Sequence, residues 1–207
     1  MPNPQKFIDI ACVGGVAADK KTQIAIAQEM QNWAAEEINE RLEAYHLDLH
    51  ADSKGCRYTG GWRSCSVDVH INTKELGLIL AVDPKHLQSK ESINKNWKNM
   101  LNDLVAFAGN IHSRFPMCVV GGVVGFEKSQ TDAGMLDDMF SIVSKVAVRN
   151  APTDQYALLE GFTIVVYDCN PRRLSPDIPP PTGNNSLFRA SNVFNHMVDL
   201  LVQRHVR

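Results

Sequence analysis

Apolar residues recur at three- and four-residue intervals between Thr22 and about Tyr45, at Ile24, Met30, Trp33, Ala34, Ile38, Leu42 and Tyr45. That spacing predicts a long amphipathic helix with Thr22 as its cap. Wound at about 100° per residue, these positions fill one half of the helical wheel. Glu29, Glu36 and Glu40 fall on the other half. Glu37 does not: it projects among the apolar residues near Met30 and Ile26, where a carboxylate needs a partner.

The period then changes. Asp52 to Gly61 is a polar, glycine-bearing connection. From Ser64 to Ile71 the chain alternates, with Cys65, Val67, Val69 and Ile71 on one face and Ser66, Asp68 and His70 on the other, which predicts a strand. After a turn at Asn72 to Glu75, the apolar run from Leu76 to Val82 predicts a central strand hairpinned to the first. A second long helix is expected over Ser89 to Phe115, with Ile93, Trp97, Met100, Leu101, Leu104, Val105 and Ala108 inward and Pro116 ending it. Met117 to Phe126 predicts a buried strand, Asp132 to Val148 a third helix, and Leu158 to Tyr167 a stretch containing a further strand. Asp168 to Asn185 is proline-rich and holds no regular element, and Ser186 to Val206 closes as a helix. Such alternation predicts an α/β fold: a central mixed sheet of about four to five strands flanked by helices, formed by residues 1–207 as one domain.

Composition narrows the class. The 207 residues are 44% apolar and 21% charged, which excludes a disordered or low-complexity chain. With 21 basic and 23 acidic residues the net charge is −2, so bulk charge does not make this a nucleic-acid coat, although a local basic groove stays open. The cysteines at 12, 56, 65, 118 and 169 show no zinc-site spacing. Cys118 reads as a core residue. Cys56 and Cys65 are placed to approach across a hairpin, but the cytosolic character of the rest argues against a disulfide there. Phe7 to Ala18 is only mildly apolar, is interrupted by Asp9 and follows no basic leader, and no run reaches membrane-spanning length. A cytoplasmic protein with no membrane contact is expected.

Residues 14–22 (GGVAADKKT) and 121–129 (GGVVGFEKS) have the outline of phosphate-binding loops. Neither places glycine before its lysine; Asp19 and Glu127 stand there, and a carboxylate would repel phosphate. The stronger chemistry lies at Asp68, Asp83 and Lys85. Asp68 is on the polar face of one strand, Asp83 ends the next, and Lys85 follows two residues on. Carboxylates on adjacent strands come within about 5 Å of each other. Such a pair suits Mg²⁺, a hard cation that takes oxygen ligands and keeps several waters. Lys85, on the same face as Asp83, would sit beside the attacking water. Of three acid-x-Lys matches (Asp19/Lys21, Asp52/Lys54 and Asp83/Lys85), only the last ends an apolar strand preceded by an acid-bearing strand.

This arrangement, an Asp, fourteen residues and then Asp-Pro-Lys on a hairpin between an acidic helix and a lysine-bearing one, resembles the PD-(D/E)xK nuclease superfamily, whose best-known members are type II restriction endonucleases. The resemblance covers about residues 22–126 as a common restriction endonuclease-like core and leaves 127–207, with the proline-rich loop 168–185, as an extension. It implies a Mg²⁺-dependent deoxyribonuclease with Asp68, Asp83 and Lys85 catalytic, and Asp68 and Asp83 holding the metal. Many members add a carboxylate from the first helix, and Glu37 is the candidate for that metal ligand. The sequence departs from the family pattern twice: Val67, not proline, precedes Asp68, and Pro84 follows Asp83. The implied partners are double-stranded DNA and a second copy in a homodimer. The alternatives are a repair, resolvase or transposon-associated nuclease of the same fold, or a non-catalytic DNA-binding or assembly protein.

Charge placement adds DNA-contact candidates. Residues 29–52 carry seven acids and one arginine, whereas 54–63 carry Lys54, Arg57 and Arg63 and no acid. Lys90, Lys95 and Lys98 follow the Asp-Pro-Lys, interleaved with asparagines, as suits phosphate positioning. Arg63, Lys90, Lys95 and Lys98 are therefore the expected DNA-binding residues. The loop Gly60 to Arg63 would lie near the DNA, with Trp62 serving either there or as a core anchor.

Overall fold

The computed structural model describes residues 2–206, without the side chain of Val16. The chain runs α1 (Gln5–Gly14), α2 (Lys20–Ala44), β1 (Cys56–Thr59), β2 (Ser64–Val67), β3 (Val69–Thr73), β4 (Gly77–His86), α3 (Lys90–His112), β5 (Val119–Glu127), α4 (Ala133–Val146), β6 (Gly161–Cys169), β7 (Arg172–Leu174) and α5 (Ala190–His205). It is an α/β fold. Strands β3-β4-β5-β6-β7 form one mixed sheet in chain order, and β1 and β2 make a separate antiparallel ribbon.

Strands β4, β5 and β6 are parallel, and β3 and β7 close the two edges antiparallel. Both parallel connections step the same way across the sheet, and connections of one hand then put their helices on one face. Accordingly α3 and α4 pack with Leu78, Ala81, Val120, Val124, Phe162 and Ile164. Helices α1, α2 and α5 cover the opposite face with Leu80, Val82, Val119, Val123 and Val165. The central strands are buried on both faces, which is why they read as continuous apolar runs.

Several boundaries differ from expectation. Helix α2 begins at Lys20 because Asp19, not Thr22, is its cap, with the Asp19 carboxylate accepting the Thr22 amide at 2.8 Å. Ile24 and Tyr45, expected inside, are exposed. The expected strand over Ser64 to Ile71 breaks at Asp68. Val67 packs on the α3 side of the sheet and Val69 and Ile71 on the α2 side, so the alternation holds but the faces exchange at the break. Strand β4 runs on through Asp83 and Pro84 to His86 instead of ending at Asp83. Pro84 is accommodated opposite Val123 in a parallel ladder. Helix α1, ribbon strand β1 and edge strand β7 had no counterpart in the sequence pattern. The disulfide joins Cys12 of α1 to Cys169 of β6, while Cys56, Cys65 and Cys118 are free thiols. In the ribbon Cys56 lies opposite Val67 and Cys65 opposite Tyr58, so the two do not face each other.

The end of the sheet away from the β4 terminus is held by buried ions. Glu160, just before β6, accepts the Val120 amide at 2.8 Å and the Arg204 guanidinium at 2.8 Å, and pairs with Arg149. His112 lies 3.2 Å from the same carboxylate. The second Arg149 amino group donates to the Pro116 and Pro152 carbonyls, both at 2.9 Å. Burial alone would push the Glu160 carboxyl up; the His112, Val120 and Arg204 contacts outweigh it and hold it below its usual value. Among the described residues no helix is long and apolar enough to cross a membrane.

Candidate active site

Asp68 occupies the bend between β2 and β3. Val69 pairs with Val82, so one further step of the antiparallel register places Asp68 beside Asp83. On β4, Ala81, Asp83 and Lys85 alternate onto one face. The Lys85 ammonium lies 2.6 Å from Asp83 Oδ1. The three side chains singled out in the sequence thus come together at the C-terminal end of a parallel strand. This is where α/β sheets open for ligands, because the helices that follow the strands splay there.

Electrostatics mark the cluster. Burial pushes the Asp83 carboxyl up, and the neighbouring Asp68 adds to this against the pull of Lys85, leaving it at about 6. Burial would lower Lys85, but Asp83, Asp68 and Asp103 together raise it, so the ammonium keeps its proton. Two carboxylates lie within the field of one lysine, and the one paired with it, Asp83, is only 15% exposed. A cleft of about 370 Å³ lies alongside, lined by Asp68, Lys85, His86 and Ser92 and by Gln23 and Gln31 of α2. A larger cleft of about 660 Å³ lies between α4 and α5, away from these carboxylates, lined by Phe140, Phe188 and His196.

Glu37 is not part of the cluster. Its carboxylate accepts the Trp33 indole N–H at 3.1 Å and pairs with Arg41 at 2.6 Å. It lines a different cavity, with Arg189 and Ser191. The helix face turned to Asp68 and Lys85 is Gln23, Ala27 and Gln31, spaced by four residues. Glu37 lies six residues beyond Gln31, about 120° away around the helix. It is half-submerged, as its place on the wheel implied, but on the side that packs against α5.

The DNA-contact candidates are all at the surface. Lys90 lies 3.3 Å from Asp132, Lys95 pairs with Glu91 at 2.5 Å, and Lys98 sits 5.2 Å over the Trp97 ring. Arg63 is exposed at the tip of the β1–β2 ribbon. His86, which by its place after Lys85 reads as a strand-end cap or a phosphate contact, does neither here: its ring stacks on Tyr167 and bonds to its hydroxyl at 2.8 Å. Burial holds that imidazole down at about 4, so it is neutral beside the cluster. Nothing local signalled this pairing, since the partners are 81 residues apart.

The residues fit a divalent cation in number and type. Mg²⁺ needs only one or two protein carboxylates, because it keeps waters and takes substrate phosphate oxygens for the rest. Two adjacent carboxylates, one raised by burial and by the other, form a site that a cation would relieve. Among the described residues no three or more His, Cys, Asp and Glu side chains gather into a metal-holding group, so Asp68 and Asp83 would hold it as a pair. No family model, curated protein or solved structure matches this chain.

Proposed function

We propose that the protein is a Mg²⁺-dependent endonuclease that hydrolyses DNA phosphodiester bonds, of the PD-(D/E)xK type, and in particular a sequence-specific type II restriction enzyme. The observation that carries the reading is the convergence of Asp68, Asp83 and Lys85 at one strand end, with the lysine ion-paired to the largely buried Asp83 carboxylate. The order helix, strands, helix, strand from α2 to β5, with the ribbon β1–β2 and the sheet strands β3–β4 between the two helices, supports it.

Asp68 and Asp83 would hold Mg²⁺, which supplies an activated water and neutralises charge growing on the phosphodiester. Lys85 fixes the Asp83 carboxylate. Its retained proton also places a positive charge where the substrate phosphate would approach. His86, neutral and locked on Tyr167, fixes the backbone next to Lys85. The exposed lysines at the start of α3 would track the phosphate backbone. On a palindromic target two copies would act about a two-fold axis.

The test is cleavage of unmethylated phage DNA and supercoiled plasmid in Mg²⁺ and in EDTA, beside Asp83→Ala and Lys85→Ala. Discrete fragments that require Mg²⁺ are expected. Lys85→Ala should cut slower by about 10²–10⁴-fold, and Asp83→Ala should not cut. Intact DNA with the wild type across several substrates and salt conditions would refute the reading and favour a binding or assembly protein.

A further inference from the structure

Three tryptophans occur in the chain, and the fold treats one of them differently. Trp33 and Trp97 are buried, whereas Trp62 is 61% exposed at the tip of the β1–β2 ribbon. An exposed indole forgoes one of the largest burial gains open to a side chain.

The tip is nevertheless fixed. Asn110 of α3 is fully buried and spends its whole amide on the loop. Its Oδ1 accepts the Trp62 and Arg63 amides at 3.1 and 3.2 Å. Its Nδ2 donates to the Arg63 carbonyl at 3.0 Å and to Cys65 Sγ at 3.4 Å. The Gly61 amide donates to the Asn110 carbonyl at 2.8 Å, and the Gly60 amide to the Arg63 carbonyl at 3.0 Å. A Cβ at Gly60 or Gly61 would collide with Asn110 or Ser113, so both glycines serve this close approach. The sequence thus uses a buried asparagine and two glycines to hold an indole at the surface.

Its surroundings are cationic and aromatic. Arg57 and Arg63 flank the tip, and residues 54–63 hold no acid. The edge of the Trp62 ring rests over Gly109, and Ala157 adjoins that same glycine. The neighbouring Tyr156 is also exposed, and its carbonyl is bonded to His112 of the same helix end. A rigid indole beside arginines is the arrangement on which nucleobases stack, because every base offers a π-face and the arginines hold the backbone. Strand β2 leads from the tip to Asp68 in six residues, so Trp62 lies within about 20 Å of the carboxylates along an extended chain. That is less than one turn of duplex DNA.

We propose that Trp62 stacks on an unpaired nucleobase of the bound DNA strand, with Arg57 and Arg63 on the adjoining phosphates. This rests on the nuclease reading for its ligand but not for its test. The full chain, with Trp62→Ala and Trp62→Phe, is titrated in EDTA with a labelled single-stranded oligonucleotide and with the matching blunt duplex, following label anisotropy and tryptophan emission. Single strands should quench the emission that distinguishes wild type from Trp62→Phe. Trp62→Ala should weaken single-strand binding by about 5- to 150-fold, with Trp62→Phe restoring most of it. The duplex should lose several-fold less. Unchanged affinity in Trp62→Ala, equal losses on both DNAs, or no binding by the wild type would each overturn the proposal. Cleavage is scored separately, in Mg²⁺ with Asp83→Ala as control. Stacking without cleavage would therefore defeat the nuclease reading alone, and cleavage without stacking would defeat this inference alone.

Discussion

Replacing Glu160 by alanine should be the most damaging single truncation of a polar side chain in this fold. The carboxylate is buried and is the anion that Arg149 and Arg204 both contact. Truncation leaves the buried Arg149 guanidinium and the nearly buried Arg204 guanidinium without their shared anion, and the Val120 amide without its acceptor. Removing one partner of a buried ion pair costs about 3–5 kcal/mol, mostly as the penalty for the charge left behind. Against a total stability of about 5–15 kcal/mol, that is a large fraction. For a domain of this size it corresponds to a melting temperature lower by roughly 6–20 °C. The assay is urea unfolding followed by circular dichroism, on wild type, Glu160→Ala, Arg149→Met and the double variant. The double variant should lose at least about 1 kcal/mol less than the sum of the single losses, because the two residues contact each other. A Glu160→Ala loss below about 1 kcal/mol, or strict additivity, would refute this reasoning. The pH dependence has a definite sign. The folded carboxyl is held below its usual 4.5, so its contribution is present above that pH and is lost as pH falls through the folded value. Glu160→Gln should flatten that acid limb.

Two further measurements probe other parts of the fold. His86 is held at about 4 against 6.5 when unfolded, so the unfolded chain binds the extra proton between those values. The His86 contribution should be complete above pH 6.5 and fall by on the order of 3 kcal/mol as pH drops towards 4, read as the difference between wild type and His86→Gln, because Asp83, raised to about 6, adds stability with falling pH over the same range. His86→Gln should remove that slope, and an unchanged slope would contradict the burial argument. Cys12 and Cys169 are 157 residues apart, a closure worth up to about 5 kcal/mol on chain-entropy grounds. Alkylation of the denatured, unreduced protein should therefore modify three cysteines, and modification of all five would deny the bond.

The sequence made the middle of the sheet legible because β4 and β5 are buried on both sides and leave long apolar runs. Asp68, Asp83 and Lys85 were legible because strand alternation relates i to i+2 directly and a hairpin relates neighbouring strands. Glu37 misled for an instructive reason. Its position on the wheel did show that it is half-submerged, but one helix presents its apolar half to several neighbours. Both groups that satisfy it stand four residues away on the same helix, Trp33 before it and Arg41 after it, and what the wheel leaves open is which neighbour that face meets. Strands β1 and β7 are three- or four-residue edge pieces with no apolar rhythm, set by pairing partners and not by pattern. The Cys12–Cys169 bond and the His86–Tyr167 contact depend on residues far apart in the chain, for which local spacing carries no signal.

The exchange of faces at Asp68 has a consequence for how this region tolerates change. Val67 belongs to one hydrophobic layer and Val69 to the other, and the carboxylate sits at the crossing between them. Because the side-chain period of a strand is two, insertion or deletion of a single residue between Ser64 and Ile71 would turn apolar side chains to the wrong layer and carry Asp68 away from Asp83. Chemistry and core here share a single reading frame. Point substitutions at Ser64 or Ser66 should be absorbed, whereas a change of length should abolish folding and the site together. Variation in this ribbon is therefore confined to letters and barred from spacing.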